Sequence, residues 1–322
     1  MNTMGNAGLT NHEQLFAIGL DVGGSKIAGG LVSLRDGSVI ERQSIATRPE
    51  RGGAAVFEDV LRLAELLCAH AADQNHEVVG IGVGVPELVD REGRITSGHT
   101  IDWRELPVQS RLEQLAPTVF EADVRAHALA EARYGAGRAF ELFTFISVGT
   151  GISSCLVQDG VPFAGAHGNA LVLATQPLML PCTSCGNLTR FTLEEYASGP
   201  ALAQRYNALA HSHIQSGRDV VAAAVAGDHH AIEVVSSAAA ALGASVGWLV
   251  NVLDPQAVIM GGGLGMAGGL YWQRFEAATR AHIWAETGRT LPILMATLGA
   301  DAGLIGAAAS VLPPVRSLGK SI

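Results

Sequence analysis

The stretch FAIGLDVGGSKIAGGLVSLRDGSVIERQSIA, residues 16–46, decides the fold. An apolar run leads into the small-residue turn Asp21–Lys26, a second apolar run follows, and Asp36–Gly37 turns the chain into a third strand. Asp-Gly turns between apolar runs are a strong signal for a β-hairpin. These residues therefore predict an antiparallel β-meander whose first turn is rich in glycine.

The stretch FTFISVGTGISSCLVQDGVPFAGA, residues 143–166, repeats this plan. A strand enters the turn Gly149–Gly151, and a second strand ends in a turn at Asp159–Gly160. Each first turn has a hydroxyl, Ser25 in one block and Thr150 in the other. Because an internal duplication fixes the architecture, the sequence predicts two similar lobes, each opening with a β-meander that carries a small-residue loop.

Helical and strand-like patterns alternate through the rest of the chain. They predict helices at residues 54–72, 124–134, 197–209, 220–226, 231–253, 272–283 and 302–311. They predict strands at residues 78–85, near 119, 257–260 and 293–296, and an irregular segment at 165–192. Strands that alternate with helices are typical of an α/β protein.

The composition excludes several classes of protein. The 322 residues carry a formal net charge of −9, which argues against nucleic acid or an anionic membrane as a partner. Residues 1–16 have neither a basic nor an apolar segment, so we expect no secretory signal and a cytoplasmic protein. The uncharged run Val234–Leu253 is long enough to cross a membrane, but Ser, Ala and Gly crowd it and no Lys or Arg flanks it. We expect it to be a buried helix.

Three glycine-rich loops are candidate ligand sites. In the first loop, Gly23 and Gly24 allow positive φ angles and close backbone approach, so that successive N–H groups can point at an anion. This loop and Gly149–Gly151 are each also explained by an ordinary hairpin turn, but a facing pair would hold a triphosphate from both sides. The third loop, Gly261–Gly265, follows an apolar strand, where a flat ring can lie against the backbone. Its alternative interpretation is a strand-to-helix turn.

Asp123 lies where a predicted strand passes into a helix. One interpretation is a helix N-cap. The other is a carboxylate that takes the proton from a substrate hydroxyl during phosphoryl transfer.

Other motifs are interpreted as structural. Gly243–Gly247 matches the G-x-S-x-G pattern of hydrolases but lies in a helical run, so we expect a packing helix. His229–His230 is interpreted as a polar turn between helices. Cys182 and Cys185 are half of a zinc site, because a structural zinc ion takes four ligands. His167 is the nearest further candidate, and we expect two free thiols rather than zinc.

With these residues assembled, the chain resembles the ROK family (repressors, open reading frames, kinases) of sugar kinases, within the actin-like ATPase superfamily. The likeness runs from Phe16 to Leu312. The motifs that carry it are IGLDVGGSKIAGGLV (18–32), GIGVGVPELVDREGRI (80–95), EADVRAHALAE (121–131), ISVGTGIS (146–153), TLEEYASGPAL (192–202), VIMGGGLG (258–265) and LGADAGLIGAAASVL (298–312). No DNA-binding region precedes Phe16, which favours the kinase branch over the repressor branch.

The resemblance implies a two-lobed α/β fold of the ribonuclease H-like, actin-like ATPase type with a central cleft. Residues 1–14 would form a flexible tail, residues 15–123 with 301–322 a small lobe, and residues 124–300 a large lobe. It further implies a homodimer that acts on a sugar, with ATP and Mg²⁺ as cofactors.

The resemblance also implies roles for particular residues. The loops Asp21–Lys26 (with Gly23, Gly24, Ser25 and Lys26) and Gly149–Gly151 (with Thr150) would bind the phosphates of ATP, with Asp21 near Mg²⁺. Gly262, Gly263 and Leu264 would line the adenosine pocket. Asp123 would be the general base on the sugar 6-hydroxyl, and Glu194 would contact sugar hydroxyls.

The sequence departs from the family pattern on the sugar side. Ala122 stands where the family has Asn, Asn169–Val172 replaces its Glu-x-Gly-His, and Thr192 replaces the third Cys of its zinc motif. A site that hydrogen-bonds hydroxyls discriminates strongly against analogues that lack them. We therefore expect Ala122 and Asn169 to face a modified hexose, such as the amino sugar kanosamine. A regulatory protein that binds without turnover, and a different phosphoryl acceptor, are the alternatives.

Overall fold

The computed structural model describes residues 15–181 and 186–313, which fold as two compact units. Unit 1 contains the chain up to His127 together with Asp301–Pro313, and unit 2 contains Ala128–Ala300. The strands are β1 Leu15–Val22, β2 Lys26–Ser33, β3 Val39–Ala46, β4 Glu77–Val85, β5 Thr118–Ala122, β6 Leu142–Val148, β7 Ile152–Gln158, β8 Val161–Pro162, β9 Pro177–Pro181, β10 Leu188–Thr192, β11 Ala257–Gly261 and β12 Ile293–Met295. The helices are α1 Gly53–Asp73, α2 Val108–Leu112, α3 Asp123–Tyr134, α4 Leu193–Ala197, α5 Gly199–Ala210, α6 Gly217–Val225, α7 His229–Leu253, α8 Gly269–His282 and α9 Ala302–Ala309.

The two units contain sheets of the same topology. In unit 1 the strand order is β3-β2-β1-β4-β5, where β1–β3 form an antiparallel meander and β4 and β5 run parallel to β1. In unit 2 the meander β6–β8 is likewise followed by parallel strands, and the order is β12-β11-β6-β7-β8. The α/β class and the predicted duplication, with a small-residue loop between the first two strands of each sheet, are confirmed.

Helix α9 lies directly on the sheet of unit 1. Gly19 of β1 and Gly82 of β4 are neighbours in the parallel register. A Cβ at Gly19 would lie 1.9 Å from the Leu304 carbonyl oxygen, and a Cβ at Gly82 would lie 1.6 Å from that of Ala307. Only glycine allows this backbone contact, which brings the first turn of α9 to the carboxyl end of β1.

Helix α7 forms much of the core of unit 2. Among the described helices it alone is long and apolar enough to cross a membrane, and 56% of its most apolar window is buried. Gly243 and Gly247 let it approach α8, because a Cβ at either residue would lie 2.5 Å from a carbonyl oxygen of that helix, Phe275 or Thr279. The predicted packing role of this segment is confirmed.

Three predictions about local structure are wrong. His229–His230 is the first turn of α7 and not an interhelical turn, because the Asp228 side chain accepts the Ala231 N–H at 2.9 Å and starts the helix. The helix predicted at 197–209 is divided at Ser198, whose extended backbone and side chain cap α5. The segment expected to be irregular contains the hairpin of β9 and β10, with Pro177 paired to Thr192 and Pro181 to Leu188.

Candidate active site

Three parallel strands of unit 1 end at one edge of the sheet. Asp21 on β1 is paired with Gly84 on β4, and Gly84 with Glu121 on β5. Asp123 follows β5 directly and is the first residue of α3. A Cβ at Gly84 would lie 3.8 Å from Asp21 Oδ1, within van der Waals contact of this carboxylate. The carboxyl ends of parallel strands are where α/β proteins bind ligands.

The Asp21 carboxylate lies against the first turn of α9. A Cβ at Gly303 would lie only 2.4 Å from Asp21 Oδ2. The amino end of a helix carries partial positive charge and stabilises a nearby anion. The fold therefore places the Asp21 carboxylate, at the end of β1, beside the amino end of α9.

The loop after Asp21 is a tight hairpin turn. The Gly23 N–H donates to the Lys26 carbonyl at 2.9 Å, while Ser25 and Lys26 are exposed. Neither Gly23 nor Gly24 adopts the positive φ angle that glycine allows, and the turn closes without one. Gly24 lies close to the loop 97–101, since a Cβ there would lie 3.3 Å from the Thr100 methyl.

Asp123 has a perturbed carboxyl group. Burial raises its pKa to about 6; His127 opposes this rise, whereas the negative charges of Asp21 and Glu87 add to it. The His127 ring hydrogen-bonds the Asp123 carbonyl through Nδ1 at 2.7 Å. A carboxyl group with this pKa at a strand end is a candidate functional group on physical grounds.

Glu87 is a buried carboxylate that the sequence analysis missed. It accepts the backbone N–H groups of Thr100 at 2.6 Å and of His99 and Ile101 at 2.9 Å, and it accepts the Ser97 hydroxyl. Burial alone would raise the pKa of Glu87, but these hydrogen bonds hold it below its usual value. Glu87 thus fixes the loop 97–101, which reaches Gly24 through Thr100. The sequence signal that could have identified Glu87 is a charged residue two positions after the end of a buried strand.

In unit 2 the second and third loops lie side by side. They follow β6 and β11, which are parallel neighbours. Gly262 has φ 80°, and a Cβ there would lie 2.3 Å from the Val148 carbonyl oxygen. The same oxygen accepts the Leu264 N–H at 2.9 Å. The third loop therefore wraps around the end of β6, and Gly262 is the residue that makes this wrapping possible.

These two loops border a cavity of about 450 Å³ within unit 2. Its other walls are the amino ends of α5 and α6, where a Cβ at Gly217 would lie 2.7 Å from the Gly199 Cα. An Arg218 guanidinium nitrogen lies 3.8 Å from the Cβ position of Gly263. The lining residues are Gly149, Thr150, Gly199, Pro200, Gln215, Ser216, Gly217, Arg218, Val221, Gly263, Leu264 and Ala267. Arg218 was missed from the sequence, because its helix was predicted to start later.

Glu194 lies against the second loop. Its Oε2 accepts the Ile152 N–H at 2.7 Å, and a Cβ at Gly151 would lie 2.6 Å from the same oxygen. Asn169 is exposed on a loop of unit 2 and is not among the residues that line the cavity. Ala122 is buried at the end of β5, beside Val85. The substrate contacts of these three residues stay predictions.

Metal ligands are sparse in the described ranges 15–181 and 186–313, which contain no group of three or more His, Cys, Asp or Glu side chains arranged for an ion. Mg²⁺ is commonly held by one or two carboxylates together with substrate phosphates and water, a requirement that Asp21 fits. Cys182 and Cys185 lie outside the described residues, so the zinc prediction stays a prediction. Cys155 is buried, with its Sγ 3.3 Å from the Leu156 carbonyl oxygen.

Known proteins of similar sequence include several sugar kinases. The glucokinase of Halalkalibacterium halodurans is 28% identical over 308 residues, which cover 90% of this chain and 92% of that protein. The structure of a ROK family glucokinase from Streptomyces griseus, in complex with glucose and AMPPNP, matches with a TM-score of 0.76 and 28% identity over 91% of this chain and 98% of that one. The ROK hexokinase of Thermus thermophilus matches with a TM-score of 0.75 and 30% identity over 92% and 97% of the two chains.

These proteins share the actin-like ATPase fold expected from the motifs, and the model of the ROK family matches residues 17–313. Almost every described residue falls within that match. The chain belongs to the ROK family.

Proposed function

We propose that this protein transfers the γ-phosphoryl group of ATP to the 6-hydroxyl of a modified hexose, with Asp123 as the general base. The general activity follows from the relatives. Over nine-tenths of its length the chain is similar to glucokinases and a hexokinase, and it is an ATP-dependent sugar kinase. The proposal that Asp123 is the general base in this transfer rests on one observation, the position and raised pKa of its carboxyl group.

The pKa of about 6 suits a general base. At neutral pH the Asp123 carboxylate is mostly ionised and can accept a proton, yet it is more basic than an exposed aspartate. Proton transfer is most efficient when the pKa of the base lies near the working pH. Asp21, at the same edge of the sheet, raises this pKa and supports the assignment.

The nucleotide side is supported by the cavity of unit 2. Gly149 and Thr150 of the second loop, and Gly263 and Leu264 of the third, line a space bordered by two helix amino ends. Backbone N–H groups aimed at developing negative charge are one of the devices that stabilise the transition state of phosphoryl transfer. When bound with ATP, Mg²⁺ would neutralise charge on the phosphoryl oxygens, and Asp21 is the carboxylate that would hold it.

The sugar side supports an amino hexose. Ala122 offers a methyl group where related kinases have an amide, so one hydroxyl contact of the family pattern is absent. The carboxylates of Asp21, Glu87 and Asp123 concentrate negative charge in unit 1, which favours a substrate with an ammonium group. An amino sugar such as kanosamine lacks one hydroxyl and carries an ammonium group, and Asn169 is proposed as a further substrate contact.

An ADP-release screen tests this proposal. The purified protein is given ATP, Mg²⁺ and a panel of neutral, deoxy and amino hexoses, with Asp123→Asn as the matched variant. We expect turnover on an amino hexose that exceeds turnover on glucose and is lost in Asp123→Asn. Nucleotide binding without turnover on any sugar would instead indicate a regulatory protein, and equal turnover in Asp123→Asn would exclude Asp123 as the base.

A further inference from the structure

A second cavity, also of about 450 Å³, lies in unit 1 between the edge strand β3 and helix α1. We call it the arginine groove, after the three arginines among its lining residues. These residues are Gln43, Ile45, Ala46, Arg48, Arg51, Asp59, Arg62, Leu63 and Leu66. None of them belongs to the candidate active site.

The groove follows from the periodicities of its two walls. Gln43 and Ile45 are two positions apart on β3 and face the same side of the sheet. The residues of α1 recur at helical spacing, so they form one stripe along the helix: Asp59, Arg62, Leu63 and Leu66. Ile45 is 38% exposed and Leu66 is 58% exposed, so the groove has apolar surface open to solvent.

The groove carries three cations against one anion, in a chain whose net charge is −9. Asp59 pairs with Arg51 and lies 3.5 Å from Arg62 Nη1. Arg51 also donates to the Thr47 carbonyl at 2.9 Å, so its guanidinium is held in place. Arranged guanidinium groups bind the oxygens of a phosphate by parallel hydrogen bonds.

Arg48 has an unusual backbone. Its φ of 51° and ψ of 63° lie in the left-handed region, which residues other than Gly, Asn and Asp seldom adopt. Residues held in such conformations cluster at ligand sites. The conformation supports a binding role for this third arginine.

Thr47 connects the groove to the first glycine loop. It is fully buried, and its carbonyl accepts the Arg51 guanidinium. Its hydroxyl donates to the Gly23 carbonyl at 2.6 Å, and its N–H donates to the Ser25 carbonyl at 3.1 Å. One residue thus hydrogen-bonds both a groove arginine and the Asp21–Lys26 loop.

We propose that the arginine groove binds the phosphate group of a small phosphate monoester, and that Thr47 couples its occupancy to the Asp21–Lys26 loop. Arg48 and Arg62 contact the phosphate, Arg51 completes the positive wall, and the apolar floor of Ile45 and Leu66 receives the rest of the ligand. Any effect of the groove on nucleotide binding rests on the proposed function, which gives the Asp21–Lys26 loop a role in holding ATP. Phosphate binding in the groove and its coupling to the loop do not rest on it.

Calorimetry on the full-length protein tests binding, with inorganic phosphate and glucose 6-phosphate as probes. We expect Arg48→Gln and Arg62→Gln each to weaken binding of both probes by about tenfold or more, the size of one lost charged hydrogen bond. A sugar phosphate that binds more tightly than inorganic phosphate supports the role of the apolar floor.

Two control variants identify the site. Arg91→Gln removes an exposed charge elsewhere in unit 1 and leaves binding unchanged. Arg218→Gln reports phosphate bound in the cavity of unit 2. The proposal is overturned if Arg48→Gln and Arg62→Gln bind like the parent protein, if Arg91→Gln weakens binding equally, or if only Arg218→Gln weakens it.

Hydrogen exchange tests the coupling without requiring turnover. We expect glucose 6-phosphate to slow exchange of the amides in residues 21–26 in the parent protein and in Thr47→Ser, which keeps the hydroxyl. Thr47→Val has the same shape but no hydroxyl, so the effect is lost there although binding remains. The same slowing in Thr47→Val would overturn the coupling. Because neither measurement depends on catalysis, failure of the kinase proposal cannot be mistaken for failure of this one.

Discussion

Gly303 and Asp21 are in direct contact at the carboxyl end of β1: a Cβ at Gly303 would lie 2.4 Å from Asp21 Oδ2. The strand and the helix that they belong to come from opposite ends of the chain, and both belong to unit 1. The position of the Asp21 carboxylate is therefore set by a residue that has no side chain.

Gly303→Ala is expected to displace the Asp21 carboxylate. We predict that kcat falls roughly tenfold to 100-fold, since small misplacements of catalytic groups have effects of this size. The Mg²⁺ concentration needed for half-maximal rate rises as well. Steady-state kinetics over a range of Mg²⁺ concentrations check both. Gly306→Ala is the contrast in the same helix, because its Cβ would meet the Ala126 carbonyl oxygen at 1.7 Å. Gly306→Ala is expected to lower the Tm. An unchanged kcat in Gly303→Ala would contradict the contact between Gly303 and Asp21.

Asp123 is expected to cause the fall of kcat/KM at low pH, the acidic limb of the pH profile. Because the base must be ionised, kcat/KM for the sugar falls as the pH drops through about 6, with a slope of one. Asp123→Asn lowers kcat by about 10²–10⁴ and removes this limb. A rate profile from pH 5 to 8 checks the prediction, and an acidic limb near pH 4 would contradict the raised pKa.

Asp123→Ala is expected to stabilise the protein at neutral pH. A carboxyl group whose pKa is higher in the folded state than in the unfolded state favours folding at low pH, and this contribution is lost as the pH rises from about 4 to 6. Removing the group raises the free energy of unfolding at pH 7 by about 1–3 kcal/mol and has little effect at pH 4. Chemical denaturation at both pH values checks this. If Asp123 acted only as an N-cap, Asp123→Ala would instead lower the free energy of unfolding by about 1 kcal/mol.

Glu87→Gln is expected to loosen the loop 97–101. The amide accepts through one oxygen only, so N–H groups that Glu87 now binds lose their acceptor, at a cost of about 2–5 kcal/mol. The loss of negative charge also lowers the pKa of Asp123, so the acidic limb moves to lower pH. Glu92→Gln, on an exposed residue of unit 1, is the control. If Glu87→Gln lowered the Tm but left the acidic limb of the pH profile unchanged, Glu87 would have only a structural role.

Arg218→Gln is expected to weaken ATP binding. The guanidinium lines the cavity beside Gly263, so its loss raises the KM for ATP by about tenfold and leaves kcat nearly unchanged. Arg274→Gln removes an exposed charge from α8 in the same unit and serves as the control. Steady-state kinetics with varied ATP distinguish them; equal effects of the two variants would show that only net charge matters.

Local patterns predicted the sheets well, whereas contacts between distant segments stayed hidden. The Asp21–Lys26 and Gly149–Gly151 turns were recognisable because hairpin signals lie in adjacent residues. Glu87 was missed because its partners lie ten or more residues further on and only the folded loop brings them to it. The sequence shows that Gly23, Gly24 and Gly262 all allow a positive φ angle, but not which of them uses it. Only Gly262 does, because the third loop turns around a neighbouring strand end.

The backbone contact of α9 with Gly19 and Gly82 has a consequence for biosynthesis. The described residues of unit 2 all lie between Ala128 and Ala300, before α9, and domains fold as units during synthesis. Unit 1 begins first but leaves the Gly19–Gly82 surface of its sheet bare until the ribosome has made α9. The unit that is begun first is therefore completed last, and a nascent chain arrested before residue 302 would lack the helix that completes unit 1.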